Sequence, residues 1–152
     1  MVSRFDKFSY DISEIYYCWH RIAAQCMEEY GLKGSYSVYF TTLSNYPDGI
    51  TAARLSQLCS RNKADVSRSM AQLEKMGLIK RSGNKNGYRA LIALTDKGRD
   101  VAKQIAEKAE RAVAIGGMGI SDEERAVFYR ALDTIAENLR KYVDGNNADN
   151  EY

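Results

Sequence analysis

Histidine is almost missing from this 152-residue chain, with His20 standing alone. That excludes a multi-histidine metal site within one chain, although a symmetric dimer would double the count. The three cysteines, Cys18, Cys26 and Cys59, are an odd number at irregular spacing. Such a pattern does not make a disulfide framework and favours a reducing compartment. No apolar run approaches the roughly 18 residues of a membrane span. The opening Met1-Val2-Ser3-Arg4-Phe5-Asp6 lacks the apolar stretch of a signal peptide, so a cytoplasmic protein without a membrane partner is expected. No Ser/His/Asp or paired-carboxylate arrangement stands out, and no catalytic residue, metal or cofactor is expected.

What is present suits one folded domain. Apolar residues make up 45% and charged ones 28%, a globular balance. At this length folding buries roughly 68–70% of the unfolded surface. The net charge is only +2, yet it is polarised. Over 54–89 nine cations, Arg54, Arg61, Lys63, Arg68, Lys75, Lys80, Arg81, Lys85 and Arg89, face only Asp65 and Glu74, a local +7 that leaves −5 on the remaining 116 residues. A basic segment in an acidic chain is the footprint of a polyanion binder, or else a solvated surface balanced in space.

Periodicity orders the elements. Ile12, Ile15, Trp19, Ile22 and Cys26 recur in steps of three and four, predicting a helix over 10–30 that Gly31 ends. Ser35 is expected to cap a second helix through Tyr36, Tyr39, Phe40 and Leu43, closed by the turn Tyr46-Pro47-Asp48-Gly49. Thr51 then caps a short helix, and after Ser60-Arg61-Asn62 a longer one runs over 63–76, capped by Asn62 and stopped by Gly77. Two β-compatible runs, over 78–81 and 89–95, flank a polar tip and predict a hairpin. Thr95 caps a helix over 96–115, Gly116-Gly117-Met118-Gly119 forms a joint, and the capping box Ser121-Asp122-Glu123-Glu124 opens the last helix. That helix carries Phe128, Leu132, Ile135, Leu139 and Tyr142 on one stripe, and residues 144–152 read as a flexible tail.

The pair of helices around Ser60-Arg61-Asn62 has the form of a helix-turn-helix. On the second, Val66, Met70, Leu73 and Met76 turn inward, while Ser67, Arg68, Ala71, Gln72 and Lys75 share the other side, with Lys63 and Asp65 near its start. Arg and Gln match guanine and adenine edges in the major groove. Ser67, Arg68 and Gln72 are therefore expected to read bases, and Lys63, Lys75, Lys85 and Arg89 to meet phosphates. Arg61 and Asp65 complete the expected DNA-contacting set. An ordinary amphipathic helix with a solvated face is the alternative.

Several runs resemble the multiple-antibiotic-resistance regulator (MarR) family of winged helix-turn-helix transcription factors: Gly49-Ile50-Thr51, Leu55-Ser56-Gln57-Leu58, Val66-Ser67-Arg68, Leu73-Glu74-Lys75-Met76-Gly77-Leu78-Ile79-Lys80-Arg81 and Leu94-Thr95-Asp96-Lys97-Gly98. The order of elements matches over about residues 9–143. The resemblance implies a mainly α fold with a small β-hairpin wing, a homodimer held by interlocking first and last helices, and double-stranded, pseudo-palindromic promoter DNA as partner. It divides the chain into dimerisation helices at 1–34 and 116–143, a DNA-binding lobe at 35–98, a connecting helix at 99–115 and the tail. Two places depart from the family: the tip, Asn84-Lys85-Asn86-Gly87-Tyr88-Arg89, matches the usual charged pattern only at Arg89, and the turn Ser60-Arg61-Asn62 lacks the glycine often found there.

The stripes of the first and last helices could form a monomer's core, but a protein reading two half-sites needs a twofold partner. Such regulators commonly bind a small aromatic or phenolic effector, and Tyr16, Trp19, His20, Tyr36 and Tyr39 could line its cleft or simply fill a wide interface. Some sense peroxide through a first-helix cysteine near tyrosines, which would fall on Cys18 beside Tyr16 and Tyr17. Cys26 and Cys59 read as core thiols, and His20 as partly buried and hydrogen-bonded. A ligand-responsive repressor is the function expected; a peroxide sensor and a winged-helix protein-interaction module are the alternatives.

Overall fold

The computed structural model describes residues 3–83 and 90–148. In chain order these form α1 (Arg4–Glu28), a 3-10 turn (Gly34–Tyr36), α2 (Ser37–Ser44), β1 (Ile50–Thr51), α3 (Ala52–Leu58), α4 (Lys63–Lys75), β2 (Ile79–Ser82), β3 (Leu91–Leu94), α5 (Asp96–Gly116) and α6 (Asp122–Ala148). The fold is mainly α with one small antiparallel sheet, as the sequence led us to expect. The chain divides into two compact units, Met1–Ala112 and Val113–Tyr152. Among the described residues no helix is long and apolar enough to cross a membrane.

In the first unit, α1 starts ahead of the expected residue 10. Ser3 and Asp6 form a reciprocal capping box, the Ser3 hydroxyl accepting from the Asp6 N–H at 3.0 Å and the Asp6 carboxylate from the Ser3 N–H at 3.2 Å. The helix ends as predicted, with Gly31 at φ +68° and the Leu32 N–H turned back to the Met27 carbonyl at 3.0 Å. Ser35 does not cap the next helix. It lies inside the 3-10 turn, and α2 begins at Ser37 without a side-chain cap. Close packing accounts for this local geometry: a Cβ on Gly34 would stand 2.9 Å from the Ala24 Cα, so the chain hugs α1 here.

The sheet runs in the order β1-β3-β2. The predicted hairpin pairs Ile79 with Leu94 and Arg81 with Ile92, and β1, which the sequence reading missed, adds Ile50 opposite Ile92. The tip, Asn84 to Arg89, lies outside the described residues, and with it the roles expected of Lys85 and Arg89. The core gathers Met27 of α1, Phe40 and Leu43 of α2, Leu55 of α3, Val66, Met70 and Leu73 of α4, Leu78, and Ile92 of β3, each under 2% exposed. Burying each such side chain stabilises the fold by about 1.5–3 kcal/mol before entropy is counted.

In the second unit the Ser121 capping box forms as predicted. The Ser121 N–H donates to the Glu124 carboxylate at 2.8 Å and the Glu124 N–H to the Ser121 hydroxyl at 3.2 Å. Helix α6 continues to Ala148 and so occupies part of the segment expected as a tail; residues 149–152 lie outside the described set.

Candidate nucleic-acid interface

Side-chain caps position the helix-turn-helix. The Thr51 hydroxyl accepts from the Arg54 N–H at 3.2 Å to open α3. Asn62 opens α4 by accepting the Asp65 N–H at 2.8 Å, and its amide donates to the Asp65 carboxylate at 2.7 Å. Between the helices Ser60 takes the left-handed conformation, φ +49°, which a glycine would adopt without a Cβ penalty. The Arg61 N–H donates to the Ser56 carbonyl at 3.0 Å, and the Ser56 hydroxyl to the Arg61 carbonyl at 2.5 Å, which tightens that turn.

Helix α4 divides as its 3.6-residue period requires. Val66, Met70 and Leu73 are at most 1% exposed, and Met76 is half-buried. Lys63, Ser67, Arg68, Ala71, Gln72 and Lys75 are exposed, as is Arg61 in the turn. Asp65 is half-buried and ion-paired with Arg68, while Glu74 pairs with Arg81 at 3.1 Å. Both acids of the basic segment thus sit beside one of its cations. Exposed pairs of this kind are worth about 0–1 kcal/mol, so a polyanion can displace them at small cost.

A notch of about 440 Å³ opens along this helix, walled by Lys33, Ser35 and Tyr36 on one side and by Arg61, Arg68 and Gln72 on the other. Lys33, Ser35 and Ser69, which also line it, were not among the interface residues expected from the sequence. They lie outside the linear charge run or away from the fully exposed side of α4, and the fold brings them in.

The stripes of the terminal helices are largely uncovered in the single chain. On α1, Ile12, Ile15 and Trp19 are exposed, whereas Ile22 packs on the core and Cys26 is inside it. On α6, Phe128, Leu132, Ile135, Leu139 and Tyr142 are all exposed.

No family model matches the sequence, and no curated protein matches it. Solved structures do match. A MarR family transcriptional regulator from Silicibacter pomeroyi, 20% identical, aligns over 91% of this chain and 93% of its own with a TM-score of 0.76. One from Methanosarcina mazei Go1, also 20% identical, covers 90% and 92% with a TM-score of 0.77. A third, from Listeria monocytogenes and complexed with 26mer DNA, is 26% identical over 86% of this chain and 87% of its own, with a TM-score of 0.75. The fold is that of the MarR family.

Within this MarR fold the five aromatic residues expected around an effector do not share one cleft. Tyr36 and Tyr39 are buried and line the polar notch. Trp19 lines a separate, apolar cavity of about 250 Å³ with Ile22, Cys26, Val38, Thr41 and Ile105. Trp19 and His20 also border a recess of about 240 Å³ beside Ser35 and Arg61. Tyr16 borders none of these three; its ring packs on His20 with centroids 4.1 Å apart. His20 is exposed rather than partly buried, because its turn of α1 faces away from the core.

Cys26 and Cys59 are buried, as expected of core thiols, and Cys18 is exposed. Burial pushes the Cys59 thiol above its ordinary range, opposed by its Thr42 hydrogen bond and by Arg61. Arg21, the cation nearest Cys18 in sequence, lies over the Tyr17 ring at 5.8 Å.

Proposed function

We propose that this chain is a sequence-specific transcriptional regulator, a repressor that binds a pseudo-palindromic promoter site as a homodimer. One observation carries the reading: α4 buries Val66, Met70 and Leu73 while leaving Ser67, Arg68, Gln72 and Lys75 together in solvent. Those outward groups include the hydrogen-bonding types that read base edges in the major groove. The DNA complex of the similar Listeria monocytogenes protein supports the same partner. The exposed stripes of α1 and α6 support a second copy as the other partner. Exposed large apolar side chains gathered on one helix stripe mark an interaction site.

The apolar cavity beside Trp19 supports a response to a small aromatic or phenolic effector, since it is walled by side chains of α1, α2 and α5. A mobility-shift assay with duplex DNA flanking the protein's own coding sequence tests the reading. A retarded complex that survives excess unrelated duplex and is weakened by aromatic acids is expected. Binding that unrelated duplex removes completely would contradict sequence reading, and an unchanged complex with aromatic acids would contradict the effector.

A further inference from the structure

Arg68, expected to read a base, does not stand alone on α4. Its Nη2 donates to Oδ1 of Asp65, one turn earlier, while Oδ2 of the same carboxylate accepts from the Asn62 amide at 2.7 Å. Asn62 in turn accepts the Asp65 N–H through its Oδ1 at 2.8 Å. No bond in this relay survives reversal: a backbone N–H and a guanidinium only donate, and an ionised carboxylate only accepts. The Asn62 amide is therefore fixed at both ends. Two other arginines pair with an aspartate three residues earlier, Arg99 with Asp96 and Arg125 with Asp122, but the side chains of those aspartates are 95% and 100% exposed. The Asp65 side chain is 43% exposed and has Asn62 as a second partner.

The anchor decides what Arg68 can meet. A guanidinium carries five N–H donors, so one bond to Asp65 leaves enough for the two acceptors of guanine, O6 and N7. A phosphate can draw Arg68 away cheaply, as from any exposed pair. The carboxylate held by Asn62 stays behind, however, and repels that phosphate. A base edge carries no net charge and meets no such repulsion. We propose that Asp65, anchored by Asn62, is a positioning residue that holds Arg68 toward base edges and away from phosphates. Arg68 then contributes specificity rather than general affinity. This rests on the proposed reading role of α4 and adds what keeps its arginine from gripping DNA of any sequence.

The test uses the full chain, a duplex selected by wild type from a random pool and a scrambled duplex, with affinities measured across a salt series. Asp65→Ala should raise affinity for the scrambled duplex about two- to fivefold, the scale of an exposed charge pair. Its log–log salt slope should steepen by about 0.9 as Arg68 gains a phosphate. Affinity for the selected duplex should not rise with it, so the ratio of the two falls. In an Arg68→Ala background, Asp65→Ala should change neither the ratio nor the slope. Glu74→Gln removes the same charge beside Arg81 and should raise both affinities alike. Asn62→Gly costs the helix cap little but removes the amide, and should lower the ratio as Asp65→Ala does. Equal gains or equal losses on both duplexes in Asp65→Ala overturn the positioning role, and an unchanged ratio in Asn62→Gly overturns the anchor; either leaves α4 as the reading helix. If wild type selects no duplex, or Arg68→Ala leaves the ratio intact, the reading role of Arg68 falls and the proposal with it.

Discussion

Gly98 and Leu78 approach so closely that a Cβ added to Gly98 would overlap the Leu78 carbonyl oxygen. Around this contact the end of α4 is tied to the start of α5. The Thr95 hydroxyl donates to the Gly77 carbonyl at 2.7 Å and accepts from the Gly98 N–H at 3.0 Å. The Thr95 N–H donates to the Leu78 carbonyl at 3.1 Å, and the Lys97 ammonium to the Met76 carbonyl at 3.1 Å. The two runs Leu73 to Arg81 and Leu94 to Gly98 are therefore two sides of one joint. That gives a physical reason for their pairing in the sequence.

Gly98→Ala should force the joint apart. Overpacking of this kind costs about 1–3 kcal/mol, so the urea unfolding midpoint should fall. An unchanged midpoint would mean that α5 can shift freely at its first turn.

Ser60→Gly should stabilise the protein. Ser60 holds φ +49° with a Cβ, a conformation that costs an L-residue about 1–2 kcal/mol. Glycine's larger unfolded-state entropy offsets part of the relief. A gain of about 0.5–1 kcal/mol in chemical denaturation is expected; a loss would show that the Ser60 side chain contributes more than its strain costs.

Charges placed at Ile135 and Leu139 test the assembly. Both side chains are exposed on α6, so the single chain has no packing reason to reject Ile135→Asp or Leu139→Asp. Sedimentation of the double variant should show loss of the dimer, and DNA binding should be lost with it. A folded, DNA-binding monomer would sink the proposed architecture.

Glu124 provides a pH test. It accepts the Ser121 backbone N–H and then the Ser121 hydroxyl, which together hold its carboxyl below the ordinary glutamate range. A depressed acid contributes stability above its unfolded value and loses that contribution as pH falls through the folded one. NMR titration should show Glu124 ionising at lower pH than an unpaired glutamate, and Ser121→Ala should move it upward.

How much of this was legible depended on the range of the interaction. Thr51, Asn62, Thr95 and Ser121 were readable as caps because a cap needs only a side-chain oxygen and backbone N–H groups within the next few residues. The two sides of α4 were readable because Val66, Met70 and Leu73 repeat at the helical period. Strand β1 was hidden because its two residues carry no pattern of their own; opposite Ile92 and Leu91 they become a strand. Ser35 failed as a cap because Gly34 packs against Ala24, a contact that only the fold creates. The walls of the cavities were not legible either: Tyr36 and Trp19 line different ones, and spacing along the chain does not say which wall a ring joins.

The division of labour on α4 tests the central claim most directly. Affinities of wild type, Arg68→Ala and Lys75→Ala would be measured on a selected duplex and a scrambled one across a salt series. Arg68 should read a base, so its loss should cost about 1–3 kcal/mol on the selected duplex and narrow the gap to the scrambled one. Lys75 should meet phosphate, so its loss should weaken both duplexes alike and reduce the log–log salt slope by about 0.9. If Arg68→Ala lowered both affinities equally while Lys75→Ala changed specificity alone, the claim that the outward side of α4 reads DNA through Arg68 would be contradicted.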